Sequence, residues 1–179
     1  KSGDYAATVV HAGKRDLTVR AENRIRPRED VPDLWICAAP IKRQRFDWVA
    51  EKVSELGVRR FLPVATSRAV VDKVKDDRLR AHMIEAAEQC ERNALPELGE
   101  LTPLAALLAD WPADRHLFFC DERGGGSFRS ALREHDGPAA ILIGPEGGFT
   151  DEENAAIRAC PQAVPVSLGP RILRADTAA

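Results

Sequence analysis

Two glycine-bearing segments contain the residues whose types and spacing could do chemistry. Gly144-Pro145-Glu146-Gly147-Gly148-Phe149-Thr150 follows the apolar run Ala139 to Ile143, and Leu168-Gly169-Pro170-Arg171-Ile172-Leu173-Arg174 follows Ala163 to Val166. Each leads toward helical sequence, so two backbone-rich loops are expected to open side by side at one edge of a sheet. Glycine lets main chain approach a ligand closely and permits positive φ, and free N–H groups near a helix start hold a carboxylate or other electron-rich group. Pro145 stiffens the first loop. Taken singly, each loop also reads as a tight strand-to-helix connection. Arg171 and Arg174 add permanently charged guanidinium groups with forked donors, and Glu146 and Asp176 are carboxylates able to orient an arginine or take a proton.

Neither loop has the G-x-x-x-x-G-K-[ST] pattern of a Walker-type phosphate cradle. Gly124-Gly125-Gly126 lies between a strand and a helix but lacks G-x-G-x-x-G spacing and an acidic partner, and reads as a flexible turn.

The elements that must position these loops follow from periodicity. Leu34 to Ala39 reads as a buried strand. Phe46, Val49, Val53 and Leu56 then fall on one face of a helix ending at Gly57. Phe61 to Val64 is the next strand, with Pro63 marking its end or an edge position. A second helix carries Leu79, Met83, Ala86 or Ala87, and Cys90 on one face. A short helix over Leu104 to Leu108, a strand over Leu117 to Cys120 and a helix over Phe128 to Glu134 precede the strand Ala139 to Ile143. Thr150 with Glu153 predicts a capping box that pins the first glycine loop to a helix start. Such alternation predicts an α/β fold with a mostly parallel sheet covered on both faces. Residues 1–32 differ: Tyr5 to Val10, a polar turn around Gly13 to Asp16, and Leu17 to Arg20 predict a β-hairpin, with Arg26 to Pro32 as a linker. Ala175 to Ala179 reads as the opening of a helix that is then cut off, and Lys1 is not a start methionine, so a piece of a longer chain is expected.

The 179 residues suffice for one main domain and a fragment of another. At 44% apolar and 30% charged residues the composition is that of a soluble globular protein, and no run approaches the roughly 18 to 20 apolar residues of a membrane span. Cys37, Cys90, Cys120 and Cys160 have no C-x-x-C spacing and read as reduced core thiols, which points to the cytoplasm. His11, His82, His116 and His135 lack metal-ligand spacing, so no metal is expected. Residues 1–80 hold 18 Lys+Arg against 12 Asp+Glu, net +6, whereas residues 81–179 hold 8 against 16, net −8. A basic half can meet a polyanion, although ordinary surface charge reads the same way.

Four stretches together resemble a known family: GPEGGFTDEE from Gly144, LGPRILRADTA from Leu168, EKVSELGVRRFLPV from Glu51 and EAAEQCERNALPEL from Glu85. In their order along the chain and at their spacing they resemble the RsmE family, the 16S rRNA uridine-N3 methyltransferases of the SPOUT superfamily, over nearly the whole chain. The resemblance implies a PUA-like β-barrel, its last part within residues 1–32, followed over 33–179 by a SPOUT domain with a C-terminal deep trefoil knot, overriding the general absence of threaded loops. It further implies S-adenosyl-L-methionine as cofactor, 16S rRNA of the small ribosomal subunit as substrate, and a homodimer. Carried onto this sequence, the cofactor loops are the segment at and after Phe119 and Cys120; Gly144, Pro145, Glu146, Gly147 and Gly148; and Leu168, Gly169, Ile172 and Leu173. Arg174, Arg171 and Asp176 become the catalytic candidates. Where the family usually has Thr-Glu-Thr, this chain has Ala175-Asp176-Thr177, a carboxylate one methylene shorter.

Methyl transfer to uracil N3 needs a deprotonated nitrogen, and the resulting charge spreads onto O2 and O4, where guanidinium groups should wait. No general base stands out; Asp176 and Glu146 are both candidates. Lys42, Arg43 and Arg45 at a strand-to-helix junction, and Arg92, are candidate phosphate contacts, with a solvated basic helix start the competing reading. Two rival functions remain: a Rossmann-like nucleotide enzyme built on the Gly124–Gly126 turn, and a non-enzymatic RNA-binding module.

Overall fold

The computed structural model describes residues 3–71, 73–121 and 124–179. The chain opens with an antiparallel ribbon of β1 (Asp4–Ala12) and β2 (Leu17–Arg26), joined by a turn closed by the Gly13 amide donating to Asp16 O at 2.8 Å. β2 is exposed along its whole length, and the ribbon pairs with no other strand among the described residues. Residues 27–32 are expected to be a linker, but they are docked. Asn93 donates to Pro27 O and accepts from the Glu29 amide, while the Glu29 carboxylate takes Arg92 Nε and the Asn93 and Ala94 amides at 3.0–3.2 Å. Burial alone would raise the Glu29 carboxyl; Arg92 and those amides outweigh it and hold the group below its ordinary value.

The α/β part runs β3 (Leu34–Ala38), α1 (Arg43–Leu56), β4 (Arg60–Ala65), α2 (Asp76–Gln89), β5 (Glu97–Leu98), β6 (Thr102–Pro103), α3 (Leu104–Ala109), β7 (His116–Cys120), β8 (Gly126–Ser127), α4 (Phe128–Glu134), β9 (Ala139–Ile143), α5 (Asp151–Ala159), β10 (Ala163–Ser167) and α6 (Ala175–Ala178). Every pairing in its eight-stranded sheet is parallel, in the order β5-β4-β3-β9-β7-β10-β8, with β6 also on β4. The expected mostly parallel sheet is thus present.

Strand register decides which side chains share a face. Ile36, Ile141 and Phe118 stand in one row across β3, β9 and β7, and Cys37, Leu142 and Phe119 in the next, pointing oppositely. The first face packs Phe46, Val49 and Val53 of α1, Leu79 and Met83 of α2, and, beside Phe118, Ala131 of α4. The second packs Leu104 of α3 and Ile157 of α5. Both faces are therefore dry, which is why these strands read as unbroken apolar runs.

Local signals set the helix ends. α1 stops where Gly57 adopts φ +85° and returns its amide to Val53 O. Thr150 and Glu153 form the expected capping box on α5. Pro63 lies inside β4 rather than at its end. On the side away from β3, β5 covers Arg60 and Phe61 while β6 covers Val64 and Ala65, so the proline falls in the gap between two short partners. Two face assignments differ from expectation. Leu56 is 78% exposed because the buried stripe of α1 runs through Phe46, Val49, Ala50, Val53 and Ser54 and leaves it to one side, and Cys90, one residue past α2, is exposed.

All four cysteines are free. Only Cys37 is a true core thiol; burial pushes it up to about 12, the Arg60 and Arg115 charges offsetting only part of that. Cys120 and Cys160 are half-buried. Reactivity follows thiolate content and access, so iodoacetamide at about pH 8 should modify Cys90 first and leave Cys37 untouched until the chain unfolds, read by peptide mass spectrometry. Among the described residues no helix is long and apolar enough to cross a membrane, and no three His, Cys, Asp or Glu side chains cluster to hold a metal.

Candidate functional site

β9, β7 and β10 lie side by side, and their carboxyl ends finish nearly level: Leu142 is opposite Phe119, and Val166 opposite Cys120. The segments leaving them enclose one cavity of about 260 Å³, near the lower end of ligand pockets, roughly 300–1,000 Å³. The two glycine loops are thus not on neighbouring strands; they flank β7 and close over its end. After β10 the chain turns back, since Ala175 packs with Ile36, Phe46 and Ile143 on the far side of β7 and β9. Residues 168–174 therefore pass across the carboxyl ends of both strands.

Each loop is held by its own sequence. In the first, the Gly148 amide donates to Pro145 O at 2.9 Å and Gly148 sits at φ +65°. Asn154, one turn into α5, donates to Thr150 O at 3.0 Å. In the second, Ser167 Oγ contacts both the amide and the carbonyl of Gly169, each at 3.2 Å, and Gly169 adopts φ +125°, a backbone state L side chains rarely take.

Most of the expected cofactor residues line the cavity: Cys120, Gly144, Pro145, Glu146 and Gly148, then Leu168, Gly169, Ile172 and Leu173. Two do not. Phe119 points to the opposite face, wholly buried between Leu142 and the Arg158 guanidinium, because alternation along β7 sends its neighbour Cys120 toward the cavity instead. Gly147 backs onto Arg68, its carbonyl accepting from Arg68 Nη1 at 2.8 Å.

Arg68 has no signature in the sequence. Its Nη1 also reaches Phe149 O at 3.3 Å, and the Ser67 amide donates to Glu153 Oε1 at 2.7 Å, so the loop after β4 clamps the first glycine loop from behind. Only the fold brings residues 67 and 68 to 147 and 153; no local signal could have found them. Arg68→Ala should loosen the loop and weaken cofactor binding about tenfold, a loss of about 1.4 kcal/mol, with little change in melting temperature; calorimetric titration checks it.

Gly124 and Gly125 are expected to form a flexible turn, and both line this same cavity. Gly125 is pressed against β10: an added Cβ would lie 2.6 Å from the Val166 amide nitrogen. Beside it Asp121, buried, receives Arg158 from α5 and donates its amide to Val166 O at 3.0 Å.

Among the catalytic candidates, Arg171 lines the cavity, whereas Arg174 stands at its rim between two lining residues, Leu173 and Ala175. Both are exposed, and among the described residues neither guanidinium has a hydrogen bond or ion pair. Asp176 serves neither of them. Its carboxylate is bound by Arg45 Nη1 at 2.8 Å, tying α6 to the start of α1. Arg45 is thereby engaged with protein rather than held out for phosphate. Arg92 is likewise turned inward, bonding Glu29 and Ser54 O with its side chain 10% exposed, and it joins linker, α1 and α2. Lys42 and Arg43 remain exposed.

The lining combines glycine main chain with the aliphatic side chains of Leu168, Ile172, Leu173 and Val166. The cavity therefore offers main-chain polar groups beside aliphatic surface, to which Ile172, 88% exposed, contributes.

Residues 28–179 match the model of the RNA methyltransferase domain. The chain belongs to that family. It is 27% identical over 180 residues to ribosomal RNA small subunit methyltransferase E of Rickettsia conorii, an alignment covering 99% of this chain and 73% of the relative. The Bacillus subtilis protein of the same name is 31% identical over 158 residues, covering 81% of this chain and 61% of that protein. Among solved structures, a putative methyltransferase from Legionella pneumophila in complex with bound SAM superimposes with TM-score 0.84 at 28% identity, over 97% of this chain and 74% of that one. Ribosomal RNA small subunit methyltransferase E of Neisseria gonorrhoeae, bound to S-adenosyl methionine, gives 0.81 at 25% identity, over 97% and 73%. The family resemblance drawn from the four motifs is met by these relatives.

Proposed function

We propose that this chain is the methyltransferase part of an enzyme that uses S-adenosylmethionine to methylate N3 of one uridine in 16S rRNA of the small ribosomal subunit. The observation that carries the reading is the convergence of three main-chain-rich segments on one cavity at the ends of β9, β7 and β10, with two arginines at its mouth that have no partner among the described residues. The relatives' names supply the substrate class.

When bound, S-adenosylmethionine supplies an electrophilic methyl group on its sulfonium. The glycine loops would hold it by main-chain groups, and Leu168, Ile172 and Leu173 would supply apolar contact. Arg171 and Arg174 receive the charge that appears on uracil O2 and O4 as N3 loses its proton. Glu146 lines the cavity while Asp176 is occupied by Arg45, so Glu146 is the better-placed of the two carboxylates to take that proton.

Residues 1–32 are read as the end of a PUA-like RNA-binding barrel, supported by a ribbon that pairs with no other strand among the described residues, and 33–179 as the SPOUT domain. The crossing of residues 168–174 over β7 and β9 supports the deep trefoil knot. A homodimer is supported by α1, where Trp48 and Leu56, two turns apart, are 45% and 78% exposed on one face with Lys52 between them. Four free thiols support a cytoplasmic location.

Mass mapping of 16S rRNA from cells lacking the protein should reveal one lost uridine methyl group, restored by the purified protein with S-adenosylmethionine. A complete modification pattern in those cells would refute the proposal.

A further inference from the structure

A second cavity, of about 160 Å³, opens between the first turns of α1 and α2. Ile41, Phe46 and Leu79 form its buried floor, with Val71 and Val74 half-buried at the side. Arg43, Lys73, Lys75 and Arg78 surround it, and among the described residues the one lining carboxylate is Asp47, which is already bound by Arg78. Among the described residues Arg43, Lys73 and Lys75 have no ion-pair partner, and all three are exposed. The two lysines are thus uncommitted around an apolar floor, while Arg43 also acts through space on Asp47.

The cavity lies at the same edge of the sheet as the cofactor site. It sits beyond the carboxyl ends of β3 and β4, which continue the row β9-β7-β10. Between the two cavities stands the Arg45–Asp176 pair, and both share the core cluster that contains Ile41, Phe46, Ile143 and Ala175. Its volume is below that of sites for whole cofactors, roughly 300 Å³ and more, and suits a single flat ring. Aromatic or aliphatic floor for a base and lysine or arginine for its phosphate is the combination by which proteins hold single-stranded nucleic acid.

We propose that this second cavity holds one nucleotide of the RNA substrate next to the methylated uridine, its base on Phe46 and the valines and its phosphate on Arg43, Lys73 and Lys75. The inference rests on the RNA-methylating reading above and adds to it a site distinct from the cofactor cavity.

The test compares the whole chain with K73A/K75A, which removes two exposed charges, and with Val74→Trp, which fills the cavity and keeps the charge. Cofactor binding by calorimetry reports that each variant is folded. In methylation assays on rRNA, K73A/K75A should raise KM about tenfold and reduce the slope of log KM against log salt by about one to two. Val74→Trp should raise KM with the salt slope kept. Wild-type KM and slope in both variants overturn the proposal. So does a defect confined to assembled subunits and absent on naked rRNA, which would assign the cavity to a ribosomal protein. A wild-type chain that binds S-adenosylmethionine and methylates no rRNA refutes the underlying reading itself, an outcome distinct from normal methylation by both variants.

Discussion

Arg174→Ala should lower the rate of uridine methylation by about 10²- to 10³-fold, the usual cost of removing one donor aimed at developing negative charge, while leaving the affinity for S-adenosylmethionine within about twofold. Arg174 caps the start of α6, between Leu173 and Ala175, both of which line the cavity. Ala175 is buried, so the backbone at this position is anchored while the guanidinium is exposed and makes no bond among the described residues. Such a group adds nothing to the fold and is free to meet a substrate. Lysine at 174 keeps the charge but loses the fork, and should recover part of the rate. Single-turnover methyl transfer with calorimetry on the same preparation separates the two effects; an unchanged rate would exclude the role.

Gly125→Ala should destabilise the chain by about 2–3 kcal/mol, lowering the melting temperature by about 5–10 °C, and should abolish measurable cofactor binding. The added methyl group would meet main-chain atoms of Pro165 and Val166 at 2.6–2.7 Å, and backbone cannot rotate away as a side chain can. β8 would have to leave β10, displacing Gly124 and the Asp121 segment that form one wall of the cavity. The neighbouring Gly126→Ala is the control, because a Cβ there meets nothing within 4 Å. Scanning calorimetry of both variants decides the matter; equal melting temperatures would show that the close approach is not required.

These two residues also mark what the sequence could and could not reveal. Arg174 belongs to a motif whose neighbours lie within a few positions, so its place beside the second loop was legible. The capping box of Thr150 and Glu153 and the turn at Gly57 were legible for the same reason, each depending on interactions within one or two turns of chain, whereas the strands over Ala139 to Ile143 and Ala163 to Val166 were legible because burial on both faces of the sheet makes them short apolar runs. Gly125 was misread because its constraint comes from β10, about forty residues later, and nothing nearby signals it. Arg68 was missed because its partners are Gly147 and Phe149, and the pairing of Asp176 with Arg45 was not visible because the two lie 131 positions apart. Leu56 and Cys90 were placed on buried faces by periodicity, which fixes neither the edge of a buried stripe nor the residue at which a helix ends. The RNA candidates divided similarly: Arg92 carries the right charge, but Glu29 and Ser54 already hold it.

The order of strands has a consequence during synthesis. β3 lies inside the sheet beside its middle strand, β9, which ends at Ile143, about a hundred positions after Ala38. On a ribosome adding roughly 5–20 residues per second, β3 and β4 wait on the order of 5–20 s with one long hydrogen-bonding edge bare. Phe118 and Phe119 emerge into that interval without a strand to join them to β3. A nascent chain of this kind invites capture by another copy, so yield in cells should depend on holding factors and on translation speed more than on the final stability of the protein.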